Sequence, residues 1–265
     1  KRTAERFQEA HYDVIVVGGG MAGVCAALAS ARKGVNTALI NARPVLGGNA
    51  SSEIRIHISG ADQSLKQPDY AEGGILYELM LENKARNDNF SYSIWDMILF
   101  EATKQQERLT LYHNTVMYDC ETEGSRITAI NCVQETTEMR FRLTAPLFVD
   151  ATGNGTLGYY AGAAFRAGSE PHSEFHEPHA PEKANNERMG NTILMRAINM
   201  GHPVPFTAPA FAKHLTEKQL AKRIHCVEMR DHIDVSESPN PEKYKPTPTT
   251  SSAAIDYGDW WLELM

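Results

Sequence analysis

The chain has 265 residues, with 26 Lys and Arg against 33 Asp and Glu, for a formal net charge of −7. That length suits one large domain or two small ones with a buried core. The 42% hydrophobic and 22% charged shares exclude a disordered or fibrous chain, and the acidic balance argues against a broad surface for gripping nucleic acid. Cys25, Cys120, Cys132 and Cys226 contain no C-x-x-C pair, which speaks against a disulfide scaffold and a structural zinc site.

Val14–Ala31 carries no charge and ends in Ala29-Ser30-Ala31, so it imitates a signal peptide or a membrane span. Glu5, Glu9 and Asp13 before it are wrong for a basic leader, and Gly18-Gly19-Gly20 would break a spanning helix. The segment reads better as strand, turn and helix. Tyr12–Val17 is a continuous β-branched run, as expected of a parallel strand buried on both faces. Met21–Lys33 is an Ala- and Leu-rich helix closed by Gly34, and Val35–Asn41 is a second strand. Together they form a right-handed β-α-β unit.

Further on, Glu53–Ser59 alternates strictly: Ile54, Ile56 and Ile58 face one way, and Glu53, Arg55, His57 and Ser59 the other. The pattern predicts a strand. Gly73-Gly74 opens a helix to about Ala85, with Ile75, Leu76, Leu79 and Met80 on one face, and Ile94–Gln106 predicts another. Leu109–His113 reads as a strand. Stretches near 115–121, 126–134 and 138–143, with Gly124-Ser125 as a turn, predict an antiparallel meander. Leu147–Asp150 is again a buried strand, followed by a glycine turn and small residues to Ala164. Residues 169–190 are polar and loop-like, Asn191–Ala197 could be a strand, Lys213–Arg230 a helix, and the proline-rich stretch 235–252 a linker or surface loop.

Gly18, Gly20 and Gly23 form G-x-G-x-x-G between a strand and a helix, the context that makes this motif a dinucleotide fingerprint. Gly18 permits the tight turn, Gly20 lets a pyrophosphate approach the backbone, and Gly23 allows close helix–strand packing. The first helical turn, with Met21 and Ala22, offers free N–H groups to phosphate. The alternative is a glycine turn without a ligand. Asn41 stands where an acidic residue usually meets the ribose hydroxyls. An amide can still hydrogen-bond a diol, and is less hostile to a 2′-phosphate. Arg43 could meet a phosphate bidentately or be a solvated surface arginine.

Two more turns favour a flavin dinucleotide over NAD(P): Leu46-Gly47-Gly48-Asn49 after the second strand, and Asp150-Ala151-Thr152-Gly153-Asn154-Gly155 after the last buried one. At these residues the chain resembles the two-dinucleotide-binding-domain flavoproteins. It is most similar to the FAD-dependent oxidoreductase family whose members include xanthan lyase-like FAD oxidoreductases. The carrying segments are VIVVGGGMAGVCAALASARKG, ARPVLGGNASSEIRIHISGA, GGILYELMLENKARN and FVDATGNGTLGYYAGAAFRAGSE.

The resemblance implies an α/β, Rossmann-like FAD/NAD(P)-binding fold, with a central parallel sheet, an antiparallel meander and part of a substrate or cap domain. The expected division is 1–168 for FAD, with a helical insertion at 61–95, and 169–265 for the partial cap. FAD would stretch across the sheet's carboxyl edge. Gly18, Gly20 and Gly23 would meet its pyrophosphate, and Asn41 and Arg43 its adenosine ribose. Gly47, Gly48, Asn49 and Ser52 would lie along the diphosphate, ribityl and flavin side. Val116 would offer its backbone to adenine, and Thr152, Gly153, Asn154 and Gly155 would pass close to the cofactor. The family continues beyond the equivalent of Trp260–Glu263 with another strand and helix, so the chain is expected to be part of a longer fold.

Arg55 and His57 are the sharpest catalytic candidates, because their strand face follows the LGGN turn. A cation beside the flavin would favour its reduced anion, and a His could take a substrate hydroxyl proton. The alternative is an edge strand with a solvated polar face. His172, His176 and His179, among Glu170, Glu174, Glu177 and Glu182, suit metal chemistry, but Pro171, Pro178 and Pro181 oppose a ligand-aligning helix, and a solvated loop with no metal is the expectation. Cys25 reads as a small core residue. The functional expectation is an FAD-dependent oxidoreductase passing a hydride between flavin and an organic, carbohydrate-related small-molecule substrate, with no nucleic-acid partner and no membrane span. The rivals are an NAD(P)-binding dehydrogenase and a non-catalytic dinucleotide-binding fragment. The expected compartment is the cytoplasm, or the periplasm if a signal peptide preceded Lys1. The sequence is silent on oligomeric state.

Overall fold

The computed structural model describes residues 6–56, 58, 73–88, 91–188, 191–198, 205, 207–213 and 257–264, with 191–198 and 257–264 described by backbone alone. Two compact units divide the chain, Lys1–Phe165 and Arg166–Met265.

In the first unit the β-branched run forms β2 (Val14–Val17), preceded by a short strand β1 (Phe7–His11). The small-residue helix is α1 (Met21–Arg32), and the next strand is β3 (Thr37–Ile40). Helices α2 (Gly74–Arg86) and α3 (Tyr92–Lys104) follow, then β4 (Leu109–Tyr112). The predicted meander is β5 (Thr115–Glu123), β6 (Arg126–Gln134) and β7 (Met139–Thr144), and β8 (Leu147–Asp150) leads into the short helix α4 (Thr156–Tyr160).

Strands β4-β3-β2-β8 make a wholly parallel sheet, and β1-β7-β6-β5 make the second sheet. Within the latter β5, β6 and β7 are antiparallel, while β1 adds to β7 in parallel. Alternation along the central strands sends side chains to two separate cores. Ile15 and Val17 of β2, with Ala38 and Ile40 of β3, pack with Met117, Ile130, Phe141 and Leu143 of the meander. Val16 and Leu39 instead join Val24, Ala27 and Leu28 of α1, Leu79 of α2 and Trp95, Ile98 and Leu99 of α3. This double burial is why the run is apolar throughout rather than alternating. On α1 the buried positions Val24, Ala27, Leu28 and Ala31 follow helical spacing.

The expected strand over 53–59 is not formed where it is described. A single 3-10 turn spans Gly48–Ala50, and residues through Ile54 continue as bends and turns. Local hydrogen bonds win over the alternating pattern: Arg55 N–H donates to the Ser51 carbonyl at 2.8 Å and Ile56 N–H to the Asn49 carbonyl at 2.9 Å. Ser59 lies outside the described residues.

The second unit holds the four-residue helix α5 (His172–Phe175) and the antiparallel pair β9 (Asn191–Ile198) and β10 (Tyr257–Leu264). Lys213 is described as non-helical; the rest of the expected helix to Arg230, and the proline-rich stretch 235–252, lie outside the described residues.

The hydroxyls of Tyr12 and Tyr112 meet at 2.8 Å inside the core between the sheets, where burial, then the bond itself, pushes the Tyr112 phenol far up. Tyr112→Phe should therefore lower unfolding stability by about 1–2 kcal/mol, because a buried Tyr12 hydroxyl loses its partner. A denaturant titration checks this; an unchanged midpoint would remove the pair from the account of stability.

Candidate functional site

Because β2, β3 and β8 run parallel, the loops leaving their carboxyl ends converge on one sheet edge. Backbone bonds tie them together. Gly18 N–H donates to the Ile40 carbonyl, Ala151 N–H to the Val17 carbonyl and Gly47 N–H to the Gly19 carbonyl, each at 2.8 Å. The three glycine turns singled out in the sequence are thus brought side by side.

Their glycines do different work. Gly18 sits at φ +108°, and a Cβ there would overlap the Ala151 carbonyl. A Cβ on Gly23 would overlap the Gly18 carbonyl. Both are demanded by the protein's own packing. Gly19, which the spacing motif leaves out, is needed as well: a Cβ would lie 2.5 Å from the Asn41 side chain. Gly20 differs from all three. It has ordinary extended angles, φ −67° and ψ 177°, and a Cβ would meet nothing within 4 Å.

Gly20 is also the N-cap of α1, which has no side-chain cap and no acidic residue in its first turn. The N–H groups of Met21, Ala22 and Gly23 have no intrahelical partner by position and face the helix's positive end. Gly48 closes the other side, with its would-be Cβ 3.2 Å from the Gly20 Cα. A glycine that the fold itself does not require, set beside uncapped helix donors, is the shape a pyrophosphate needs. The residues present therefore fit a dinucleotide.

At the corner beyond the carboxyl end of β3, Asn41 is buried and donates both amide hydrogens, to the Arg43 and Val45 carbonyls at 2.9 Å each. Its donors are spent on shaping the loop. The side-chain oxygen remains as an acceptor, which is the role a carboxylate would take toward a ribose hydroxyl. Arg43 is held by Glu53, Nε to Oε2 at 2.6 Å. That neutralises the cation expected to favour a 2′-phosphate. Val116 lies beside this corner in β5, since the preceding Thr115 N–H donates to the Asn41 carbonyl at 2.9 Å. His113 also faces the Arg43 carbonyl, Nδ1 to oxygen 3.4 Å, and its ring lies tilted against Phe100 with centroids 5.6 Å apart. Burial holds its imidazole below the ordinary range, against that hydrogen bond.

The second glycine turn is knotted by Asp150. Its carboxylate accepts from the Thr152 N–H at 3.0 Å, the Thr152 hydroxyl at 2.7 Å and the Gly158 N–H at 2.9 Å. Burial alone would raise the carboxyl. The Gly158 N–H, the Thr152 hydroxyl and N–H, and the Leu157 N–H together outweigh it and hold the group below the usual range. Thr152 is thereby committed to the turn, whereas Gly153, Asn154 and Gly155 are exposed.

In the LGGN turn, Gly47 and Gly48 adopt positive φ and Asn49 lies in the 3-10 turn. Ser52 spends its N–H on Asp96 Oδ1 at 3.0 Å. Arg55 is not in a strand. It sits at φ +65°, a conformation costing a non-glycine residue about 1–2 kcal/mol, and its Nε turns back to the Ser52 carbonyl at 3.1 Å. His57 lies outside the described residues. In the second unit, His172 Nδ1 contacts the Glu177 carbonyl at 2.8 Å, and the His172 and His176 rings meet edge-on at 5.8 Å. Among the described residues no helix is long and apolar enough to cross a membrane. Sequence reasoning missed Gly19, Glu53 as the partner of Arg43, and Asp96; a lone acid within an apolar helical face was the one signal for the last.

The family model described as FAD dependent oxidoreductase matches residues 13–261. Among solved structures, the chain is similar to an L-proline dehydrogenase from P. horikoshii, at 20% identity and TM-score 0.35 over 56% of this chain and 24% of that one. It is similar to a geranylgeranyl bacteriochlorophyll reductase-like protein from Thermoplasma acidophilum, at 16% identity and TM-score 0.44 over 61% and 45%. It is also similar to the glycerol-3-phosphate dehydrogenase from Bacillus halodurans, solved with FAD, at 15% identity and TM-score 0.40 over 57% and 36%. The chain thus spans between 24% and 45% of the length of these three.

Two substitutions separate ligand from packing. Gly20→Val should leave a folded protein that no longer retains a dinucleotide, whereas Gly23→Val should fail to fold, because only the second collides with backbone. Circular dichroism and cofactor content after purification read the two outcomes, and stoichiometric cofactor in Gly20→Val would overturn the assignment. Asp150 supplies a pH test. A lowered folded pKa contributes stability that is complete above the unfolded value and is lost as pH falls through the folded one. Melts from about pH 6 to about pH 3 should show Asp150→Asn less stable at the upper end and less acid-sensitive than the parent; parallel curves would contradict it.

Proposed function

The chain belongs to the FAD-dependent oxidoreductase family, and we propose that it moves a hydride between an organic substrate and bound flavin, with carbohydrate-related alcohols as the substrate class. The observation that carries the reading is Gly20, free of steric demand from the fold and flanked by uncapped α1 donors, within a cluster of three glycine turns. FAD, when bound, supplies the hydride-accepting chemistry.

This chain's residues supply binding and placement. The Met21, Ala22 and Gly23 N–H groups neutralise pyrophosphate charge, with Gly20 letting it approach. The Asn41 oxygen accepts from the adenosine ribose, and Val116 offers backbone to adenine. Gly47, Gly48, Asn49 and the Ser52 side chain line the route toward the ribityl chain, and Gly153, Asn154 and Gly155 flank it. Arg55 contributes positive charge at the flavin end, and His57 accepts the substrate hydroxyl proton. The substrate class rests on the resemblance to xanthan lyase-like FAD oxidoreductases.

Purified protein should be yellow, and heat-released cofactor should run as FAD on chromatography; FMN or NADP alone would overturn the reading. Arg55→Ala should lower the flavin reduction potential, because it removes a charge favouring the reduced anion. His57→Ala should slow flavin reduction by substrate more than it weakens substrate binding. Redox titration and stopped-flow reduction measure the two separately, and unchanged values in both would remove these residues from the mechanism.

A further inference from the structure

Helix α3 is amphipathic and buries Trp95, Ile98 and Leu99 against the parallel sheet. Two polar side chains break that apolar face. Tyr92 and Asp96 are one helical turn apart, so they project along the same side of the helix. Both reach the same loop. The Tyr92 hydroxyl donates to the Arg55 carbonyl at 2.6 Å, and Asp96 Oδ1 accepts from the Ser52 N–H at 3.0 Å. Asp96 is buried, where a carboxylate is costly unless it has a task.

The two anchored points lie in the second half of the loop, at Ser52 and Arg55. Just before them the Ser51 hydroxyl donates to the Gly48 carbonyl at 2.7 Å, and at the second of them Arg55 adopts its left-handed backbone. Local bonds alone do not fix where such a turn sits on the molecule. The helix does, through one acceptor and one donor on a rigid body packed against the sheet. A left-handed arginine persists only where its surroundings over-determine it, and the Tyr92 bond falls on that residue's own carbonyl.

We propose that Tyr92 and Asp96 are positioning residues that clamp the 48–56 loop and so set where Asn49, Ser52 and Arg55 stand relative to FAD. The inference rests on the FAD reading above. It assigns Asp96 a hydrogen-bonding role rather than one as a counter-charge, because its contact is a backbone N–H and not a cation. Tyr92 and Asp96 touch the loop's backbone, so the clamp itself uses neither the Asn49 and Ser52 side chains nor the Arg55 guanidinium.

The test uses the full chain with Tyr92→Phe, Asp96→Ala and Asp96→Asn. Each is measured for FAD Kd by fluorescence quenching, for the flavin absorption spectrum, and for amide exchange over residues 48–56 in the apoprotein. Loss of one such bond should weaken FAD binding about fivefold and speed amide exchange of Ser52 or Ile56. Asn keeps an oxygen for the Ser52 N–H, so Asp96→Asn should restore both to within about twofold of the parent. A purely structural role predicts lowered melting temperatures without a change in Kd or spectrum, and that result overturns the proposal. So does an Asp96→Asn variant as impaired as Asp96→Ala. Were the parent to bind no FAD, the cofactor reading would fail, while the exchange data would still decide whether the clamp exists.

Discussion

The contact on which the site depends is backbone against backbone, where Gly18 meets Ala151–Thr152 and Gly23 meets the Gly18 carbonyl. Nothing larger than hydrogen fits on either glycine. This packing draws α1 onto the sheet edge and holds the β2 and β8 loops together, so that the helix's first turn lies beside the second glycine turn. A parallel sheet brings the loops to one end, and its ladders run one bond past the strands, Ala151 N–H to the Val17 carbonyl and Gly18 N–H to the Ile40 carbonyl. The Gly47 N–H bond to the Gly19 carbonyl adds the tie that the ladder does not supply, and each of the three is 2.8 Å.

From that join the remaining features follow in order. Asn41 can lie flat against residue 19 only because that residue is glycine, and from there its amide reaches the Arg43 and Val45 carbonyls. The loop after β3 is thus folded by a neutral side chain. A carboxylate could not donate these two bonds, so Asn41 has a structural reason to be an amide that is independent of any ribose. The Arg43–Glu53 pair then links the start of this loop to the far side of the LGGN turn.

Much of this was legible in the residues. The β-branched run of β2, the small-residue helix and the three glycine turns each carry a local signal strong enough to survive tertiary context, and the meander announced itself as short stretches about the Gly124-Ser125 turn. Strand β1 was not legible. Its five residues, Phe7–His11, are mostly exposed and gain their conformation from parallel pairing with β7, a partner far along the chain. Strand β10 likewise exists through its pairing with β9. The partners of Arg43 and Ser52 were also hidden, because sequence spacing cannot place Glu53 or Asp96 beside them.

The segment after Ala50 shows why a clean periodicity can mislead at a site. Ile54, Ile56 and Ile58 satisfy the two-residue period of a strand, yet a strand needs a neighbour with free main-chain groups. In the parallel sheet β3 already bonds to β2 and β4 on its two sides. The loop's backbone groups are instead satisfied internally and by α3: Arg55 N–H by Ser51, Ile56 N–H by Asn49, Ser52 N–H by Asp96 and the Arg55 carbonyl by Tyr92. Once those bonds are made, an extended conformation would have to break all four before it could pair elsewhere. Glu53 and Arg55 are therefore presented from an irregular loop rather than a strand, and a loop anchored at Ser52 and Arg55 can aim Arg55 in a direction that a pleated strand does not allow.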